Sequence, residues 1–165
     1  MIFQHTIDKV LSGKKTQTRR IVKPGDEYFP KDLSAPTAIM RKGHSSYRLV
    51  FEIGKTYAVQ GGRKHRASGR IRITGLRLDD AREIVDADVL AEGFASTADF
   101  LATWVSMHDP KFFFERDEFE PEKFIGVTPD GNPYLWTEGE LMAQLWERPA
   151  SLYACWAITF ELVRS

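Results

Sequence analysis

The sequence predicts a small mixed α+β domain built on a curled sheet or barrel. Three observations carry that prediction. Segments that alternate apolar and polar residues are interleaved with segments of helical period. Helix-opening pairs, a short polar residue followed three positions later by an acid, occur at Asp80/Glu83, Ser96/Asp99 and Thr137/Glu140. A glycine sits where the longest alternating segment changes phase.

Taken in order, Thr6 is placed to cap a short helix whose apolar face is Ile7, Val10 and Leu11, and Gly13 follows where a left-handed stop is needed. Residues 14–22 are polar and threonine-rich, and read as a tight loop entering a strand near 19–22. Residues 23–46 hold Pro24, Pro30 and Pro36 and few periodic apolar positions, so they read as a long surface loop. Strands are predicted over 47–53 and 56–60 around Gly54-Lys55. The basic turn Gly61-Gly62-Arg63-Lys64-His65-Arg66 comes next. In 70–78, Ile71 and Ile73 share one parity and Leu76 and Leu78 the other. A bulge at Gly75 would turn both pairs to the core.

Phe100, Leu101, Trp104 and Val105 form one face of a helix that Asp109-Pro110 ends. Residues 111–136 are aromatic and acidic, with a turn at Pro129-Asp130-Gly131. A capped helix is expected from Thr137 to about Arg148. The chain closes on a strand over 152–163, with Trp156, Ile158 and Phe160 inward, and Tyr153 and Cys155 on the other face.

Length and composition narrow the function classes. The 165 residues fit one domain. The single Cys155 forbids an intrachain disulfide and a Cys-rich zinc site, and the four histidines are scattered, so neither metal nor cofactor is expected. Without a long apolar run or an apolar leader, the chain reads as a soluble cytoplasmic protein with no membrane partner. The formal charge of +0 hides a split: residues 1–77 carry 17 Lys/Arg and 5 Asp/Glu, and residues 78–165 carry 6 and 18. The cations fall in two runs, Lys14, Lys15, Arg19, Arg20 and Lys23, then Arg63, Lys64, Arg66, Arg70 and Arg72. Runs of this kind suit a polyanion, although interleaved halves would cancel at the surface.

The stretch Gly13-Lys14-Lys15-Thr16-Gln17-Thr18-Arg19-Arg20 is the most unusual in the chain. Four cations and two threonines directly after a helix stop make either a solvated basic turn or a pocket for a polar ligand. It lacks the second glycine of a phosphate-cradling loop. It resembles the ASCH domain signature G-x-K-x-x-E/T-x-R, matched by Gly13, Lys15, Thr18 and Arg20. The resemblance extends to Gly54-Lys55-Thr56-Tyr57-Ala58-Val59, Arg70-Ile71-Arg72-Ile73-Thr74, Ala91-Glu92-Gly93-Phe94 and the closing strand.

That resemblance implies one domain over 1–165 with inserts at about 23–46 and 109–149, on a PUA-like small β-barrel with flanking helices. It implies a nucleoside or single-stranded RNA as partner. Some ASCH members are amidohydrolases that remove the acetyl group of N4-acetylcytidine, and their catalytic group carries over to Lys15, Thr18 and Glu92. Gly13, Arg19, Arg20, Tyr57, Arg72 and Tyr153 are the expected ligand contacts, Tyr153 because its parity points it outward. A non-catalytic RNA-binding module and a metal-independent ribonuclease using the same pocket remain as alternatives.

Overall fold

The secondary structure follows in chain order. Helix α1 spans Ile7–Leu11, and strands β1 to β6 span Gln17–Ile21, Asp26–Phe29, Ala38–Lys42, Tyr47–Glu52, Thr56–Val59 and Gly69–Asp80. Helices α2 and α3 are Asp86–Ala91 and Thr97–His108. Strands β7, β8 and β9 are Phe114–Arg116, Lys123–Val127 and Pro133–Thr137, followed by α4 at Glu138–Trp146 and β10 at Ala154–Val163. These come from a computed structural model that describes residues 1–3, 6–30, 35–109, 114–127 and 132–163. The Phe112-Phe113 pair and the Pro129-Asp130-Gly131 turn lie outside the described residues.

The residues gather into two compact units. Met1–Asp79, Ala91–Gly93 and Cys155–Ser165 form the first; Asp80–Leu90 and Phe94–Ala154 form the second. The first unit holds a four-stranded sheet in the order β1-β10-β6-β5 and a three-stranded sheet in the order β2-β3-β4. Strand β1 runs antiparallel to β10, with Thr18 opposite Ile158 and Arg20 opposite Trp156. One apolar cluster gathers Phe3, Val10, Val59, Ile71 and Phe160, and another Ile39, Ile73, Leu76, Trp156 and Ile158. The parity break at Gly75 is real, since Ile71, Ile73 and Leu76 are all buried. Leu78 does not join them; it stays 56% exposed.

The α+β class holds: helices flank antiparallel sheets. The closed barrel does not appear, because among the described residues the strands form separate open sheets. The reason lies just after β1. Only a tight turn separates it from β2, with the Asp26 N–H donating to Lys23 O at 2.9 Å, yet β2 pairs with β3 instead. The Gly54 N–H donates to Ile73 O at 2.8 Å and the Ile73 N–H to Lys55 O at 3.1 Å, which continues the β5–β6 register just ahead of β5 and does not join the two sheets. The expected loop over 23–46 is corrected as well, since it contains β2 and β3.

The second unit packs α3 and α4 with the sheet β7-β8-β9. Phe100, Leu101, Trp104, Val105, Phe124, Leu141 and Leu145 are buried. Ser96 caps α3 through the Asp99 N–H at 3.1 Å, and Thr137 with Glu140 forms a complete capping box on α4. The acid pair at Asp80 opens a 3-10 turn, its carboxylate accepting from the Arg82 N–H. No helix is long and apolar enough to cross a membrane.

Candidate functional site

Lys15 is placed by its backbone before its side chain is considered. After α1, Ser12 caps the helix and Gly13 turns the chain at φ +76°. The Lys15 N–H donates to Lys9 O at 2.9 Å, and the Thr16 N–H donates to Ala91 O at 2.9 Å. The second bond holds the signature loop beside Ala91, next to Glu92, within the first unit. Gly93 then turns the chain at φ +85°, a conformation that a side chain disfavours. A Cβ there would stand 3.0 Å from Lys9 Cδ and 3.6 Å from Lys15 Cβ. Lys9 Nζ donates to Gly93 O at 2.5 Å, closing the turn.

Within that frame Lys15 Nζ lies 2.7 Å from Glu92 Oε2 and 2.5 Å from Glu92 O. The side chains are 4% and 3% exposed. Charges this deeply buried are found where each has a partner. The network continues through Arg19, whose Nη1 is 3.4 Å from Glu92 Oε1 and whose Nη2 is 2.7 Å from Asp79 Oδ2. Arg77 Nη2 reaches the same Asp79 oxygen at 3.1 Å. Burial pushes the Lys15 ammonium below its ordinary 10.5; Glu92 works against this, and the nearby cations Arg20 and Lys9 add to it. An amine held this way gives up its proton more readily than a surface lysine does.

The expected residues divide three ways. Lys15, Glu92 and Arg19 are in direct contact. Thr18 is buried one position before Arg19 on β1, and among the described residues no hydrogen bond joins its hydroxyl to Lys15 or Glu92. Arg20 is turned to the N-terminal segment: its Nη2 donates to Ile2 O at 2.6 Å, and its guanidinium lies over the Phe3 ring. Gly13 contributes the turn alone.

The other three serve elsewhere. The Tyr57 hydroxyl accepts from the Glu52 N–H at 3.1 Å, and its ring packs edge-on to Phe51, so it supports the core. Arg72 is exposed and pairs with Glu161 at 3.2 Å. Tyr153 is corrected outright. It precedes β10 rather than alternating along it, is 0% exposed, and donates its hydroxyl to Leu145 O at 2.5 Å within the second unit. Asp79 and Arg77 were not anticipated, although their i, i+2 spacing on β6 places them on one face of that strand.

A cleft of about 310 Å³ in the first unit is lined by Val22, Asp26, Glu27, Tyr28, Leu78 and Trp156, none of them an expected site residue. Among the described residues no group of three His, Cys, Asp or Glu side chains is arranged to hold a metal.

No family model and no curated protein matches this sequence. Among solved structures, a crystal structure of a protein from Enterococcus faecalis V583, labelled with the family model DUF984, is similar at 15% identity. That similarity covers 97% of this chain and 71% of the other, with a TM-score of 0.48, too low to argue from.

Proposed function

We propose that Lys15 and Glu92 are the acid–base pair of a hydrolase acting on the N4-acyl amide of a cytosine nucleoside, with Thr18 as nucleophile. The observation that carries this reading is the buried Lys15–Glu92 contact at 2.7 Å, in a setting that lowers the proton affinity of the amine. The substrate class comes from the ASCH resemblance of Gly13, Lys15, Thr18 and Arg20. With that resemblance go a cytoplasmic setting and a free nucleoside or an extruded base of single-stranded RNA as the molecule bound.

The chemistry balances with these groups alone. A proton shift along the Lys15–Glu92 hydrogen bond leaves a neutral amine and a carboxylic acid. The Thr18 hydroxyl attacks the acyl carbon and passes its proton to Lys15 Nζ, while Glu92 protonates the departing cytosine N4. The C–N bond breaks, leaving the nucleoside and an acyl ester on Thr18. Water attacks that ester, giving one proton to Glu92, and Lys15 returns its own to the Thr18 oxygen. The carboxylic acid product leaves, and the pair is back at its starting protonation. Substrate must bring the Thr18 hydroxyl into reach of Lys15, as catalytic hydrogen bonds often tighten only in the complex.

The test is incubation of the full chain with N4-acetylcytidine, following its conversion to cytidine. Turnover that falls at least ~100-fold in Lys15→Ala supports the reading, since acid–base groups contribute about that much or more. No turnover in the wild type, or equal turnover in the variant, refutes it and leaves the pair as a structural ion pair.

A further inference from the structure

The hairpin joining β5 to β6 presents the turn Gly61-Gly62-Arg63-Lys64-His65-Arg66. Residues 63–66 are all exposed. Among the described residues Arg63, Lys64 and Arg66 make no ion pair; exposed Lys14, Lys23, Lys42 and Arg48 make none either, but only in this turn do three such cations fall within four residues. Three like charges within four residues repel one another unless an anion sits among them.

The turn is also held in shape. Gln60 Nε2 donates to His65 O at 2.7 Å, the His65 N–H donates to Gly62 O at 3.3 Å, and the Ser68 N–H donates to Val59 O at 2.9 Å. Lys64 takes φ +66°, the left-handed region that residues with side chains seldom enter. A strained lysine at the apex of a tied turn is the kind of outlier that points to function. The setting is cationic too: the first unit carries 18 Lys/Arg against 8 Asp/Glu.

We propose that the 61–66 turn binds the phosphodiester backbone of a single nucleic-acid strand through Arg63, Lys64 and Arg66. A chain of repeated anions meets three neighbouring cations at once, which a lone phosphate does less well. Helix α1 connects this turn to the signature loop. Leu11 closes on the base of the hairpin so tightly that a Cβ on Gly69 would stand 2.9 Å from it, and Lys9 of the same helix holds the turn at Gly93. The turn therefore suits a strand whose base is read elsewhere on the first unit, yet its binding does not rest on the hydrolase reading.

The test uses the full chain and two fluorescein-labelled probes, U20 and dT20, titrated by anisotropy between 50 and 200 mM salt. Three single-strand phosphate contacts give a log–log salt slope of about −2, a loss of affinity of roughly 20-fold across that range. Arg63→Gln/Lys64→Gln/Arg66→Gln, with an unchanged melting curve, should weaken binding at least ~10-fold at low salt and flatten most of the slope. Turnover of free N4-acetylcytidine, if present in the wild type, should be unaffected by it. Equal affinity for the two probes assigns the contact to phosphates, and a preference for U20 adds contacts to the sugar when a dU20 probe, which has the same base, binds as weakly as dT20. The proposal is overturned if neither probe binds at 50 mM salt, or if the triple variant keeps both affinity and slope. It is overturned equally if sedimentation shows that the turn's only salt-sensitive partner is a second copy of the chain.

Discussion

Lys15 sits where burial and pairing act in opposite directions on one proton. Its folded pKa lies below the ordinary 10.5, so between those two values the unfolded chain binds more protons than the folded one. Unfolding free energy should therefore rise with pH through that window, and Lys15→Met should remove this part of the rise. Urea melts from pH 7 to 10.5 on both proteins measure the difference. Glu92→Gln leaves the ammonium buried without its counter-charge and should destabilise by about 3–5 kcal/mol. Tyr153 makes the opposite case. Burial pushes its hydroxyl up to about 12, so its contribution is complete below pH 10 and is lost as pH climbs from 10 to 12. Burial raises Tyr57 as well, so absorbance titration should show more than one tyrosine ionising late, and Tyr153→Phe should delete the transition near 12 while costing about 1 kcal/mol at neutral pH. The sequence makes Lys15 and Glu92 visible through a motif. Tyr153 is misjudged twice over: it closes a 3-10 turn ahead of β10, and the face of β10 opposite Trp156 is itself buried at Cys155 and Ala157.

Among the elements, helices and long strands are the most legible. Capping pairs locate α3 and α4, and alternation locates β6 and β10. Strands β2 and β3 are hidden by their prolines, which sit just outside the strands they flank: Pro24 and Pro30 on either side of β2, Pro36 ahead of β3. Proline at a strand boundary punctuates rather than breaks, but in a single sequence the two cases look alike. Alternation gives no help there either, because in β2 and β3 only Ala38 and Ile39 are buried. Strands β8 and β9 escape notice for a different reason: their inward pair, Phe124 opposite Trp136, is lost in a run of aromatics and acids. The turn at Gly93 carries its own prediction. Gly93→Ala should cost about 1–2 kcal/mol for the left-handed backbone alone. It should also lower turnover, because the new methyl group crowds Lys9 Cδ, the side chain that closes this turn on Gly93 O beside Glu92. A thermal melt and an activity assay on the same preparation check both.

For the whole molecule, charge follows the compact units rather than the two halves of the sequence. The first unit carries 18 Lys/Arg and 8 Asp/Glu and the second 5 and 15, because β10 returns to the first while residues 80–90 and 94–154 stay together. The sequence reveals that asymmetry, but not which residues belong together, since nothing local tells that Ala91–Gly93 leaves its neighbours to meet the signature loop. The central claim is that Lys15 and Glu92 are a reactive pair and not only a fold-stabilising one. Replacing both at once, Lys15→Met with Glu92→Leu, tests it most directly, because apolar side chains of similar volume can take over the packing of a buried ion pair at little or no cost. Stability and N4-acetylcytidine turnover are measured on the same protein. The expected result is a folded variant in which Arg19 keeps Asp79 as its partner, with turnover reduced ~100-fold or more. A folded variant that hydrolyses the nucleoside at the wild-type rate would contradict the claim.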